Sequence, residues 1–172
     1  FDVIRLGPAG TGPYAMPKFK PGWDLPMETL WRHAAPQMDR MFRAAYYGLV
    51  TRPETLDYNR FCYYGAADAV RRPFMAFNPF HVAFAQTGAF LIHWWVFHWL
   101  QTREAQSLAW ARAMADKWQA VQHPETGLVP HWFGSDDPND TRQPPRPVCN
   151  THDSWTALVY LETAQRLRQQ TE

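Results

Sequence analysis

From Phe74 to Thr102 the chain has no charged side chain; the stretch reads FMAFNPFHVAFAQTGAFLIHWWVFHWLQT, between Arg72 and Arg103. Within it, Phe80 to Leu100 predicts one helix of roughly 30 Å, enough to cross the hydrocarbon layer of a bilayer. A helix that is apolar on every side also suits the centre of a large protein, and periodicity does not separate the two. Its length and lack of charge favour lipid. The pattern therefore predicts an all-α chain with a single transmembrane helix, flanked by amphipathic helices and extended Pro-rich arms.

The flanks are patterned differently. Residues 1–26 hold five prolines and four glycines and predict an extended arm. A first helix is expected from Met27, with Pro36 kinking it or starting a new one. Met38, Met41, Phe42, Ala45 and Leu49 recur at the helical period and make one apolar stripe, with Arg40 and Arg43 off it. Thr51-Arg52-Pro53-Glu54 has capping-box spacing and predicts the start of the next helix. Four segments result: the arm 1–26, amphipathic helices over 27–72, the transmembrane segment 73–102 and a helical extension 103–172. In the extension a helix over 103–121 should carry Leu108, Arg112, Ala115 and Trp118 near one side, with Ala109 beside them, and stop before Pro124, with a turn at Gly127. A Pro-rich loop over 123–152 follows. Asp153 then caps a last helix whose apolar end is Trp155, Leu158, Val159 and Leu161, docking on a partner or on the 103–121 helix.

Composition sharpens this division. Charged residues are 19% of the chain and mean hydropathy is -0.47, so the apolar material is concentrated in one run. Residues 1–72 carry ten Lys/Arg against seven Asp/Glu, and residues 103–172 seven against nine. The excess, with Arg71-Arg72 at the edge of the run, puts the N-terminal side in the cytoplasm or mitochondrial matrix. Nine Trp, eleven Phe and seven Tyr suit membrane interfaces and subunit contacts. Cys62 and Cys149 flank the run, and no Cys/His spacing suggests a metal site.

Inside the run, Ala85, Gly88 and Ala89 are small enough for a neighbouring helix to approach closely. His93-Trp94-Trp95-Val96-Phe97-His98-Trp99 reads as an aromatic belt, and Tyr63, Tyr64 and His81 join it as contacts to lipid headgroups or neighbouring chains. Two histidines at i and i+5 do not aim both rings at one ligand. The GPAGTG stretch lacks the closing Lys-Ser/Thr of a phosphate loop. Asp136-Asp137-Pro138-Asn139-Asp140 matches a DDxxD pattern but follows Gly-Ser and encloses Pro, so it lacks a helix wall on which to aim metal ions. Neither cofactor nor nucleic acid is expected. A phospholipid such as cardiolipin is the one small ligand the pattern suits.

Two resemblances follow. Pro79-Phe80-His81-Val82-Ala83, Gly88-Ala89-Phe90-Leu91 and Phe97-His98, with Phe42-Arg43-Ala44-Ala45-Tyr46-Tyr47 before them, resemble the membrane helix of subunit f of mitochondrial ATP synthase. That similarity covers about a third of the chain. It implies a non-catalytic accessory subunit of a membrane energy-converting complex in the mitochondrial inner membrane, N-terminal side in the matrix. Its partners would be the other subunits and lipid. The paired helices and the ETGLVPHW loop instead look like a piece of an α/α-toroid carbohydrate enzyme, a polysaccharide lyase or glycoside hydrolase. Elimination from a uronate wants an Arg on the carboxylate and a Tyr or His as base. Arg60, Tyr63, His131 and His152 supply those groups.

Overall fold

The computed structural model describes residues 26–58, 82–129, 132–134 and 151–169. The chain divides into two units, 1–81 and 82–172, a boundary that falls inside the segment read as transmembrane.

In the first unit, helix α1 spans Met27–Leu49. It kinks at Ala34 (φ -147°, ψ 38°), two residues before Pro36. Pro36 has no N–H for the preceding turn, and its ring collides with that turn's carbonyl. The kink brings Trp31 over Phe42, with ring centroids 6.3 Å apart. On a straight helix those residues would be about 16 Å apart along the axis. Met38, Met41, Phe42, Ala45 and Leu49 are all buried, as the stripe predicts. Arg43 pairs with Asp39 at 3.1 Å across one turn.

The expected helix at Thr51 is a correction. Strand β1 (Val50–Arg52) pairs antiparallel with β2 (Asp57–Tyr58), Val50 opposite Tyr58. Leu56 takes a left-handed φ of 52° in the turn between them. Val50 and Tyr58 are both wholly buried, types that suit a pleated surface and outweigh the capping-box spacing.

In the second unit, strand β3 (Val82–Phe84) runs directly into helix α2 (Ala85–Thr102). A two-residue link leads to α3 (Ala105–Ala120). Strand β4 (Trp132–Gly134) pairs antiparallel with β3, Val82 opposite Gly134 and Phe84 opposite Trp132. Helix α4 (Thr151–Arg168) follows. α2 packs against both α3 and α4.

This arrangement overturns the transmembrane reading. Among the described residues no helix is long and apolar enough to cross a membrane. The uncharged run is split: three of its residues are strand, and α2 begins at Ala85 rather than Phe80. Its 18 residues reach about 27 Å, and Gln86, His93, His98 and Gln101 interrupt its apolar surface. Every residue from Gly88 to His98 is buried, so protein packing explains the all-round hydrophobicity. The single-span fold class, the accessory-subunit function in a membrane complex and the inner-membrane location all rested on that span, and they fall with it. The described residues also add two short antiparallel strand pairs to the helices.

α3 ends where expected. Gly127, at φ 66°, donates its N–H to the His123 carbonyl at 2.8 Å in the turn after it. Its buried face is rotated from the expected one: Ser107, Trp110, Ala111, Met114 and Trp118 are buried, while Ala109 and Arg112 are exposed. On α4, Thr156, Val159 and Thr163 are buried, whereas Leu158 and Leu161 are 42% and 68% exposed.

Candidate functional site

Side-chain contacts fix how α2 runs against its neighbours. Trp95 lies near Trp110 (centroids 5.9 Å) and His98 near Ser107, so α2 and α3 form an antiparallel hairpin. Ala89 and Phe90 cluster with Val159, with Tyr160 packed beside them. His93 meets Thr163, and Phe97 faces the Arg166 guanidinium at 5.8 Å. Residue numbers rise together along that seam, so α2 and α4 run parallel. Their N-terminal ends point the same way.

Each histidine of α2 anchors one neighbour. His98 Nδ1 lies 2.7 Å from Ser107 Oγ and 4.0 Å from Glu104 Oε2. The link is fixed around it: Thr102 Oγ1 donates to the His98 carbonyl at 2.8 Å and accepts from the Glu104 N–H at 3.2 Å. Arg103 takes a left-handed φ of 59°, its guanidinium 4.9 Å from the Trp99 ring centre. A hydrolytic Ser-His-carboxylate triad needs serine and carboxylate on opposite ring nitrogens. Here both approach Nδ1, and Ser107 is wholly buried. This trio therefore joins two helices rather than forming a nucleophile.

His93 Nδ1 lies 2.8 Å from Thr163 Oγ1. That hydroxyl donates to the Val159 carbonyl at 2.7 Å. A carbonyl only accepts, so the single hydroxyl proton is committed there, and His93 Nδ1 must carry the proton it gives to Thr163. His93 Nε2 faces Glu162 Oε1 at 3.9 Å, and the same oxygen accepts from Arg166 at 3.1 Å.

One turn toward the helix starts the polar groups change character. Gln86, in the first turn of α2, is 8% exposed, and its Nε2 has no hydrogen-bond partner. The Tyr160 hydroxyl on α4 is buried and also has none. Burial raises the Tyr160 phenol well above its ordinary value. Buried polar groups are nearly always satisfied, so these two atoms are exceptions among the described residues. Neither Gln86 nor Tyr160 is among the residues that the sequence pattern singles out. A glutamine inside an otherwise buried, uncharged run was the available signal.

The residues singled out from sequence distribute as follows. Ala85, Gly88 and Ala89 are buried on α2, Ala89 at the α4 seam. His93, Trp94, Trp95 and His98 are buried and Trp99 is half-buried, so the lipid-facing role given to them goes with the span. Arg60, Tyr63, Tyr64, His81 and His131 lie outside the described residues, as do the arm 1–25, both cysteines and the 136–140 aspartates. His152 falls in the first turn of α4, where side chains are not described. Comparison with known protein families, curated proteins and solved structures finds no match to this chain.

Proposed function

We propose that this chain is a helical portion of an α/α-toroid protein that acts on acidic polysaccharide by elimination. The supporting observation is the parallel seam of α2 and α4 with α3 antiparallel to α2. An α/α toroid alternates direction in this way, with a ring of inner helices running one way and the connecting helices returning outside it. An inner helix is apolar on every side because other helices surround it, which suits α2. The loop between α3 and α4 carries the ETGLVPHW sequence that suggests the same class.

In this reading the Arg60 guanidinium neutralises the uronate carboxylate and makes the proton at C5 more acidic. Tyr63 or a histidine removes that proton. The C5–H electron pair becomes the C4=C5 double bond, and the C4–O bond breaks with its pair on the leaving oxygen. The general base, now carrying that proton, or a second acid returns a proton to that oxygen. The products are a free hydroxyl end and an unsaturated uronate that absorbs in the ultraviolet.

The test uses the purified chain with polygalacturonate, followed by ultraviolet absorbance and by migration in gels containing the polymer. The proposal expects retarded migration and unsaturated ends, with both reduced in Arg60→Ala. Absence of both binding and product from wild type ends it.

A further inference from the structure

The contacts of His93 put its two ring nitrogens in different situations. Nδ1 gives its proton to Thr163 Oγ1 at 2.8 Å, and that hydroxyl is committed in turn to the Val159 carbonyl. In the neutral ring Nε2 is therefore an acceptor. It faces another acceptor, Glu162 Oε1, at 3.9 Å. A proton added at Nε2 turns this meeting of two acceptors into a charged donor opposite a carboxylate. The relay from Nδ1 through Thr163 to Val159 is the same in both states of the ring, so that change breaks none of its bonds.

The surroundings decide whether the charge is tolerated. The His93 side chain is 8% exposed, so its charged form loses hydration. On α4, Arg166 donates to the same Glu162 oxygen at 3.1 Å and opposes a second positive charge. A carboxylate accepts from several donors on its two oxygens, so Glu162 can hold both. On α3, the Trp95–Trp110 and His98–Ser107 contacts put Ala111 to Met114 at the level of His93. The charged residue there, Arg112, is exposed. The next histidine of α2, His98, is held at another level by Ser107 and Glu104. β3 has no titratable residue. Glu162 supplies the negative charge at the ring. Its side chain is 35% exposed, so swinging it in by about 1 Å closes the pair without moving the helix.

We infer that His93, Thr163 and Glu162 form a proton-operated clamp between α2 and α4. Protonation of His93 adds a charge-assisted bond to Glu162 beside the standing bond to Thr163, so α4 is held more tightly in mild acid than at neutral pH. The clamp acts on the helix that carries His152 in its first turn, and it stands whether or not the chain cleaves a uronate. Where folding favours the protonated ring, the added stability is complete below the unfolded histidine's value of about 6.5. It fades as pH rises through the midpoint of the folded ring.

The experiment compares the intact 172-residue chain with its Glu162→Gln variant from about pH 8 to about pH 5, the range in which histidine changes charge. Urea unfolding gives stability, nitrogen-15 NMR gives the charge state of the His93 ring, and hydrogen exchange gives the protection factors of the α4 amides. Glu162→Gln keeps the side chain's length and an oxygen for Arg166, and removes the charge. The lost attraction to Arg166 is the same across this range, and the other histidines titrate in both proteins. The pH dependence of the difference therefore reports His93. The folding constant of wild type relative to Glu162→Gln should grow roughly threefold to tenfold on acidification, the effect of moving the ring's midpoint by about half a unit to one unit. The His93 midpoint should fall by the same amount in the variant. Protection of α4 should rise on acidification more in wild type than in Glu162→Gln. A stability difference that does not change with pH, a midpoint that Glu162→Gln leaves in place, or a folded ring that stays neutral throughout overturns the clamp. Protection of α4 that changes equally in both proteins overturns it as well. Protection that falls in wild type overturns it and makes burial the dominant effect on the charged ring.

Discussion

Replacing Thr163 with Val tests whether a hydrogen bond of defined direction holds α4 to α2. Valine keeps the branched shape and deletes only the hydroxyl oxygen. That oxygen now accepts from His93 Nδ1 at 2.8 Å and donates to the Val159 carbonyl at 2.7 Å. The Val159 bond is a local back-bond within the helix, and its loss changes stability little. The His93 bond is different. Its N–H lies in a residue 6% exposed, and valine offers no replacement acceptor. Leaving a buried donor without its acceptor costs about 1–3 kcal/mol, so Thr163→Val should lower stability by that amount. Urea unfolding followed by far-ultraviolet circular dichroism measures it. The double variant His93→Phe/Thr163→Val removes both partners and should regain much of the loss, giving a coupling of at least about 1 kcal/mol in a double-mutant cycle. Nitrogen-15 NMR of the imidazole should show Nδ1 protonated in the neutral ring. A loss under about 0.5 kcal/mol, zero coupling, or a neutral ring protonated only at Nε2 would refute the assigned direction.

Four further outcomes follow from the same contacts. Ser107→Ala removes the partner 2.7 Å from His98 in a wholly buried place and should cost about 1–2 kcal/mol in the same unfolding assay. Ala89→Leu inserts three carbons where Ala89 has no exposure, at the α4 seam, and should cost about 1–3 kcal/mol through overpacking. Leu161→Ser, at 68% exposure, should change stability by less than about 0.5 kcal/mol, whereas Val159→Ala on the buried face should cost clearly more. The Tyr160 phenol is raised by burial above its ordinary value of 10.0, so the unfolded chain releases that proton first. The stability Tyr160 contributes is therefore complete below about pH 10 and is lost as pH climbs above it. Alkaline unfolding followed by tyrosinate absorbance should begin there and be delayed in Tyr160→Phe.

Sequence made some of this legible and hid the rest for physical reasons. The α1 stripe is readable because Met38, Met41, Phe42, Ala45 and Leu49 repeat at the helical period, and of the two effects expected of Pro36 the structure shows the kink. The α3 face departs from the apolar pattern because Ser107, a polar residue, belongs to the buried side through its bond to His98, while Leu108 is only half-buried. Leu158 and Leu161 show the converse: apolarity does not oblige a side chain to be buried. α2 was assigned to lipid because lipid and protein interior ask for the same composition. Its histidines held the contrary information, but their partners sit nine and seventy residues away, beyond the reach of local pattern. Strand β3 was invisible inside the uncharged run, since its partner β4 lies across two helices.

Those two separations, nine residues for His98–Ser107 and seventy for His93–Thr163, also set an order of events in folding. The short Arg103–Glu104 connection lets the hairpin close at small entropic cost, so it can assemble early and almost independently of the rest. α4 must arrive later, once a far longer loop has closed, and its docking completes the enclosure of α2. Weakening the near contact should therefore slow refolding, while weakening the far one should chiefly hasten unfolding. A ribosome that has released the chain only as far as Ala120 has already exposed a complete first step.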